Sequence, residues 1–309
     1  MSLGLVFPGQ GSQSVGMLAD IAAEFPQIRQ CFEEAGEAIS QPLWRIASEG
    51  PDTDLIRTEI TQPALLTASV ALWSIWRDEG GPAPTWLAGH SLGEYSALVC
   101  AGALGFADAV RLVHRRGQLM QAAVPQGEGA MAAILGLDDE QVEAACLEIT
   151  GVVSAANYNA PGQVVIAGST DPVKVAADRC KELGARRATL LQVSGPFHCQ
   201  LMHPAQEAFA ADLDAVAMAM PVIPVIHNVD AAEARDVDEL RSKLLAQISQ
   251  PVLWTACVRA MAANGVTRLV ECGPGRVLSG LIKRIDPALG VVALGTLDGL
   301  RAALAEQHA

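Results

Sequence analysis

Within the 309 residues, the run Gly89-His90-Ser91-Leu92-Gly93 carries the strongest chemical signal. Apolar residues 85–88 precede it with strand character, and helical sequence follows over 92–101. A G-x-S-x-G pentapeptide at a strand-to-helix turn is the pattern of a nucleophile elbow. Such a turn holds its serine in a strained conformation with the hydroxyl exposed, and its glycines leave room for the adjoining strand and helix. The helix that follows aims its free N-terminal N–H groups at the reacting centre. Ser91 is the expected nucleophile, and the Leu92 N–H is placed to face a developing oxyanion. The pentapeptide alone permits an esterase or thioesterase as readily as a transferase.

A serine hydroxyl needs a base. Of the six histidines, His308 lies in the tail, and His114 sits among arginines on a helix and reads as solvated. His90 occupies the elbow's variable position, where it packs against or lines the site. His198 follows a strand and the turn Ser194-Gly195-Pro196-Phe197, and it opens a helix. It is the favoured base, with His203 and His227 left open. A second glycine-rich strand end, Phe7-Pro8-Gly9-Gln10-Gly11-Ser12-Gln13, is not a dinucleotide fingerprint, because Ser14 stands at the third glycine position. It is suited to bringing the Gln10 N–H to the same oxyanion. Arg111, Arg115 and Arg116 share one helix, which usually means a solvated face. Arg116, however, abuts Gly117 and the apolar Leu119-Met120. It is the one whose guanidinium could turn inward and clamp a carboxylate bidentately. No HExxH occurs, and His198, Cys199 and His203 lack zinc-ligand spacing, so neither a metal nor a cofactor is expected.

These residues need a scaffold, and the alternation of the sequence supplies one. Residues 3–7 form an apolar strand stopped by Pro8-Gly9. Helical stretches are expected over 25–39, over 61–78 with Pro63 in the first turn, and over 106–124. Residues 130–192 read strand–helix–strand–strand–helix–strand, the ferredoxin-like βαββαβ pattern. After Gly195-Pro196 the alternation resumes, with strands over 225–228 and 268–271 and helices over 236–248, 254–263 and 277–285. The expected class is therefore α/β: a core with a mostly parallel sheet plus an inserted ferredoxin-like subdomain. Residues 1–127 and 196–309 would form the large part and 128–195 the small one.

Composition narrows the function. Half the residues are apolar and only 18% are charged, which supports a sizeable core and excludes a disordered chain. A net charge of −13 without a basic run argues against nucleic acid as a partner. No apolar run reaches the roughly 18 residues of a membrane span, and residues 1–7 read as a strand, not a signal peptide. Seven cysteines with no CxxC pair fit reduced, mostly buried thiols in a cytoplasmic protein.

Several runs together resemble one family. Phe-Pro-Gly-Gln-Gly-Ser-Gln at 7–13, Gly-His-Ser-Leu-Gly-Glu-Tyr at 89–95, Arg-Arg-Gly at 115–117, Asn-Ala-Pro-Gly-Gln at 159–163, Pro-Phe-His at 196–198 and Gly-Pro-Gly at 273–275 are similar to those of the malonyl-CoA:acyl carrier protein transacylases. The resemblance spans essentially the whole chain. It implies an α/β-hydrolase-like core and malonyl transfer from malonyl-CoA to the phosphopantetheine thiol of acyl carrier protein, supplying fatty acid synthesis. By the same resemblance Ser91 would be acylated and His198 would be its base. Gln10 and Leu92 would hold the oxyanion, and Arg116 the malonyl carboxylate. A backbone carbonyl, not an aspartate, would orient the histidine; it is expected within residues 247–251, with Gln247 foremost. His90, Asn159 and Phe197 would line the site. Gln250-Pro251 stands where Asn-Pro is common in relatives, and Gly195 where a bulkier residue is frequent. The protein is expected to act as a monomer, without membrane or nucleic acid.

Overall fold

The computed structural model describes residues 2–305; His308 lies outside them. Two sheets organise the chain. The first is parallel, with five strands in the order β7-β2-β1-β8-β9. Its members are β1 (Ser2–Phe7), β2 (Trp86–Gly89), β7 (Val225–Ile226), β8 (Val266–Glu271) and β9 (Gly290–Ala293). Strand β1 lies at the centre, in parallel register with β2 and β8. It is buried from Leu3 to Phe7, as befits a strand covered on both faces. Val6 and Phe7 bring the Pro8-Gly9-Gln10 turn beside the elbow, since Phe7 pairs with Gly89.

The second sheet is antiparallel, in the order β4-β5-β3-β6. It comprises β3 (Gly129–Leu135), β4 (Val153–Ala160), β5 (Gln163–Ser169) and β6 (Arg187–Leu190), joined by helices Asp139–Leu147 and Thr170–Glu182. The topology is that of the βαββαβ pattern expected from the sequence. Period-2 alternation sorts its two faces. Ala132, Ile134, Val164 and Ile166 pack under the two helices. Met131, Val165 and Ala167 turn the other way and join the core of the large sheet. Where the chain enters and leaves this unit the two crossings touch: a Cβ on Gly129 would lie 2.5 Å from the ring of Pro196.

Strand β4 is also fastened to the large sheet's side. Val252 donates its N–H to Ala156 O, and Tyr158 donates to Val252 O, both at 2.9 Å. The segment that follows Gln247 is thus an extra rung on the small sheet.

Three expectations shift. The helix expected over 61–78 begins at Thr58, so Pro63 lies beyond the first turn. Lacking an N–H, it leaves the Glu59 carbonyl without its helical partner. The Nδ1 of His114 fills the gap at 2.7 Å, so His114 is a half-buried structural ligand of that helix and not a solvated surface residue. The strand over 225–228 shortens to Val225–Ile226 because the backbone beyond it pairs elsewhere: the His227 N–H donates to Ala232 O and the Asn228 carbonyl accepts from the Leu253 N–H. Helix Leu297–Ala305 and strand β9, near the end of the chain, complete the parallel sheet and its cover. All seven cysteines are free thiols, six of them buried.

Candidate active site

Ser91 sits between β2 and helix Gly93–Cys100 with φ +50°, in the left-handed region that costs a non-glycine residue of order 1–3 kcal/mol. The glycines of the pentapeptide make the turn possible. A Cβ on Gly89 would lie 1.9 Å from the Gly93 carbonyl carbon, and one on Gly93 would lie 2.0 Å from Phe7 O. Asn228 braces the turn from outside: its Oδ1 accepts the Ser91 N–H and its Nδ2 donates to Gly89 O, each at 2.7 Å.

The Ser91 hydroxyl meets His198 Nε2 at 2.7 Å. On the far side of the ring, Nδ1 lies 2.8 Å from the Gln247 carbonyl oxygen. A carbonyl can only accept, so Nδ1 carries the proton and Nε2 presents its lone pair to the serine. His198 itself has φ +59°. Both members of the pair are therefore held in strained backbone. Burial, and next the nearby Arg116 charge, lower the His198 pKa to about 3. The imidazole is neutral at physiological pH, the form a base must have. The alternatives separate on position. His227 is fully buried and bonded through Nδ1 to Glu94 at 2.7 Å, and His203 is exposed at the start of helix His203–Asp214.

Of the three arginines on helix Phe106–Ala122, Arg111 and Arg115 pair with Asp108 and Asp212 at the surface. Arg116 is 1% exposed. Its Nη1 donates to Gln62 Oε1 and its Nη2 to Gln247 Oε1, both at 2.8 Å; Nη2 also lies 3.3 Å from Ser91 Oγ. Its guanidinium stacks 5.4 Å from the Tyr95 ring centroid. Among the described residues no carboxylate pairs with it, and its Nε has no partner. A buried, unpaired guanidinium is costly unless something anionic completes it.

Around this centre lies a cavity of about 1010 Å³, open to solvent and shared by both sheets. Gln10, Ser91 and His198 line it from one side, and Met131, Asn159 and Phe197 contribute to the rest. Gly9 packs so closely on the elbow that a Cβ would lie 2.5 Å from His90 O, which sets the Gln10 backbone beside Ser91. Neither the Gln10 nor the Leu92 N–H has a hydrogen-bond partner among the described residues. His90 reaches across to the small sheet, its Nε2 lying 2.8 Å from Asn159 Oδ1. Among the described residues no group of His, Cys, Asp and Glu could hold a metal ion, and no helix is long and apolar enough to cross a membrane.

The sequence reading did not single out Gln62, Glu94, Asn228, or the side chain of Gln247. Glu94 had a detectable signal, the one charged residue in an otherwise uncharged helix; Gln62, beside Thr61 and close to Glu59, had none. Asn228 and the Gln247 side chain carried none.

A strained serine at an elbow, an imidazole backed by a carbonyl, and free backbone N–H groups beside it define a class: an α/β enzyme equipped for acyl transfer. Comparison with known proteins agrees. The acyl transferase domain family matches residues 5–285. The chain is 53% identical over 301 residues to the malonyl CoA-acyl carrier protein transacylase of Escherichia coli K12, covering 97% of each. An acyl carrier protein S-malonyltransferase from Vibrio cholerae is 51% identical with a TM-score of 0.95, over 98% of this chain and 99% of that one. A malonyl-transacylase solved in complex with its type II PKS acyl carrier protein is 48% identical with a TM-score of 0.98, over 99% of this chain and all of that one. The chain belongs to the acyl transferase family, and within it to the malonyl CoA-acyl carrier protein transacylases.

Proposed function

We propose that the protein transfers a malonyl group from malonyl-CoA to the phosphopantetheine thiol of acyl carrier protein through an ester on Ser91, in the cytoplasm and in the service of fatty acid synthesis. The observation that carries this reading is Arg116: a buried guanidinium, without a carboxylate partner among the described residues, 3.3 Å from the hydroxyl that His198 holds. A dicarboxylic acyl group supplies the missing anion, and its second carboxyl carbon then lies within reach of Ser91. Residues 128–195 act as a lid-side subdomain on a catalytic part made of 1–127 and 196–309.

The steps follow from the geometry. Ser91 Oγ attacks the thioester carbonyl as its proton passes to His198 Nε2, and the Gln247 carbonyl steadies the imidazolium through Nδ1. The carbonyl oxygen becomes an oxyanion, held by the N–H groups of Gln10 and Leu92. The C–S bond breaks and the departing sulfur takes the proton from Nε2, which leaves a malonyl ester and a neutral imidazole. The carrier thiol then gives its proton to Nε2, attacks the ester, and expels Ser91 Oγ, which recovers that proton. His90, Asn159 and Phe197 shape the walls.

Intact-mass measurement tests the sequence of events. Malonyl-CoA alone should give one malonyl adduct, absent in Ser91→Ala, and carrier protein should remove it while gaining the same mass. Free malonate without malonyl-carrier would make the protein a hydrolase and overturn the reading.

The second acyl acceptor must dock near the cavity mouth. Val277, Leu278 and Leu281 of helix Val277–Ile285 line the cavity, and Arg276 and Lys283 stand exposed beside them. Both are placed to meet an acidic carrier. Arg276→Glu should raise the apparent KM for carrier protein several-fold, as loss of a rim charge does, with malonyl-CoA acylation of Ser91 unchanged. An unaltered carrier KM would remove Arg276 from the docking surface.

A further inference from the structure

Arg116 and Glu94 are both buried, at 1% and 0% exposure, and carry opposite charges. They do not form an ion pair; the side-chain amide of Gln247 stands between them. Its Oε1 accepts from Arg116 Nη2 at 2.8 Å, and its Nε2 donates to Glu94 Oε2 at 2.9 Å and to Ser91 O at 2.9 Å. The remaining partners of Glu94 are His227 Nδ1 at 2.7 Å and Asn228 N at 3.0 Å. Gln247 Nε2 and Asn228 N both donate to Oε2, and His227 donates to Oε1 in its Nδ1–H tautomer, so none of these contacts calls for a carboxyl proton.

This arrangement fixes which way the amide points. Turned over, Gln247 would set its oxygen against a carboxylate and its NH2 against a guanidinium, opposing like dipoles in a buried site at both ends. The charge of Glu94 thus keeps an acceptor, not a donor, in front of Arg116. Gln62 supplies the other acceptor at Nη1. Two neutral oxygens hold the guanidinium in place while its Nε stays without a partner. Had the carboxylate met Arg116 directly, the fork would be occupied and the cation neutralised.

We propose that Glu94 is the positioning residue for acyl selection: through the Gln247 amide it keeps Arg116 buried and charged, with Nη2 beside Ser91 Oγ on the wall of the cavity that receives the acyl group. The inference rests on the malonyl-clamp reading of Arg116. Gln247 then has two separate duties, its main chain serving His198 and its side chain serving Arg116.

Single-turnover acylation of Ser91 by malonyl-CoA and by acetyl-CoA, read by intact mass, tests it. In Glu94→Gln an NH2 replaces one acceptor, the Gln247 amide turns over, and a donor faces Arg116. The malonyl-to-acetyl rate ratio should fall on the order of tenfold, the worth of one charge-assisted hydrogen bond in a buried site, while acetyl acylation stays within a few-fold. Glu94→Asp, which keeps the charge, should recover part of the ratio. Gln247→Leu removes the amide but keeps the carbonyl behind His198, and should lower the ratio likewise; it decides the matter if Glu94→Gln does not fold. An unchanged ratio in the folded variant, or parallel loss of both rates, would overturn the proposal. A wild-type protein without malonyl preference would overturn the clamp reading beneath it instead.

Discussion

Arg116→Ala is expected to cut malonyl acylation of Ser91 by roughly two to three orders of magnitude while leaving acetyl acylation near its wild-type rate or raising it. The magnitude follows from what the substitution removes. Truncating one partner of a buried, hydrogen-bonded charge pair costs about 2–5 kcal/mol, and about 1.4 kcal/mol corresponds to a factor of ten. Acetyl has no carboxylate to lose. In the wild-type site it leaves a 1%-exposed guanidinium with Nε unmatched, a penalty that disappears with the arginine. The ratio of the two rates is the measurement, because any general loss of folding cancels from it. Arg116→Lys should resemble the alanine variant more than the wild type. An ammonium cannot reach Gln62, Gln247 and the substrate at once, as the guanidinium fork does. A malonyl preference that survives in either variant would mean that selection lies elsewhere in the cavity.

This site was partly legible in the amino-acid sequence, and the division has a physical basis. Ser91, His198 and Arg116 sit in short local patterns: a glycine-bracketed turn, a histidine just after Gly-Pro, an arginine beside glycine and apolar neighbours; the helix expected to open at His198 does not, since His198 lies in a turn at φ +59° and the helix begins at His203. Patterns of this kind depend on backbone shape within a few residues. The ferredoxin-like unit was legible for the same reason, since its strand alternation and turn residues are local. Glu94, Asn228 and the Gln247 side chain are different. Their partners around the elbow and Arg116 lie 131 to 156 positions apart in the chain, and the parallel order of β7, β2 and β1 brings them together. Pro63 and His114 make the same point on a smaller scale. Proline breaks a helix hydrogen bond by rule, yet a ring 55 residues away restores it, and no local pattern announces that.

His198→Ala is expected to lower the acylation rate by about 10² to 10⁴, the usual range for a lost general base, and its pH behaviour separates this role from simple packing. Burial and the Arg116 charge hold the wild-type pKa near 3, against about 6.5 for an unfolded histidine. The acylation rate of the free enzyme should therefore show no acid limb at pH 6–7 attributable to this imidazole; a limb there would contradict a neutral, buried base. Stability gives an independent reading of the same shift. Because the folded-state pKa is the lower one, the unfolded chain binds the proton first as pH falls. The contribution of His198 is whole above about pH 6.5 and is lost progressively down to about pH 3. Between pH 7 and pH 5 the loss amounts to about 2 kcal/mol. Urea unfolding of wild type and His198→Ala at the two pH values should show the wild type losing more stability, by about that amount. Equal losses would place the proton uptake on another group. Arg116 links this prediction to the first one. Its charge helps keep His198 unprotonated, and a bound malonyl carboxylate offsets that charge. The base therefore grows stronger when the dicarboxylic substrate is seated, and acetyl brings no such gain. Selection by Arg116 should accordingly reach the rate of proton transfer as well as the affinity for the acyl group.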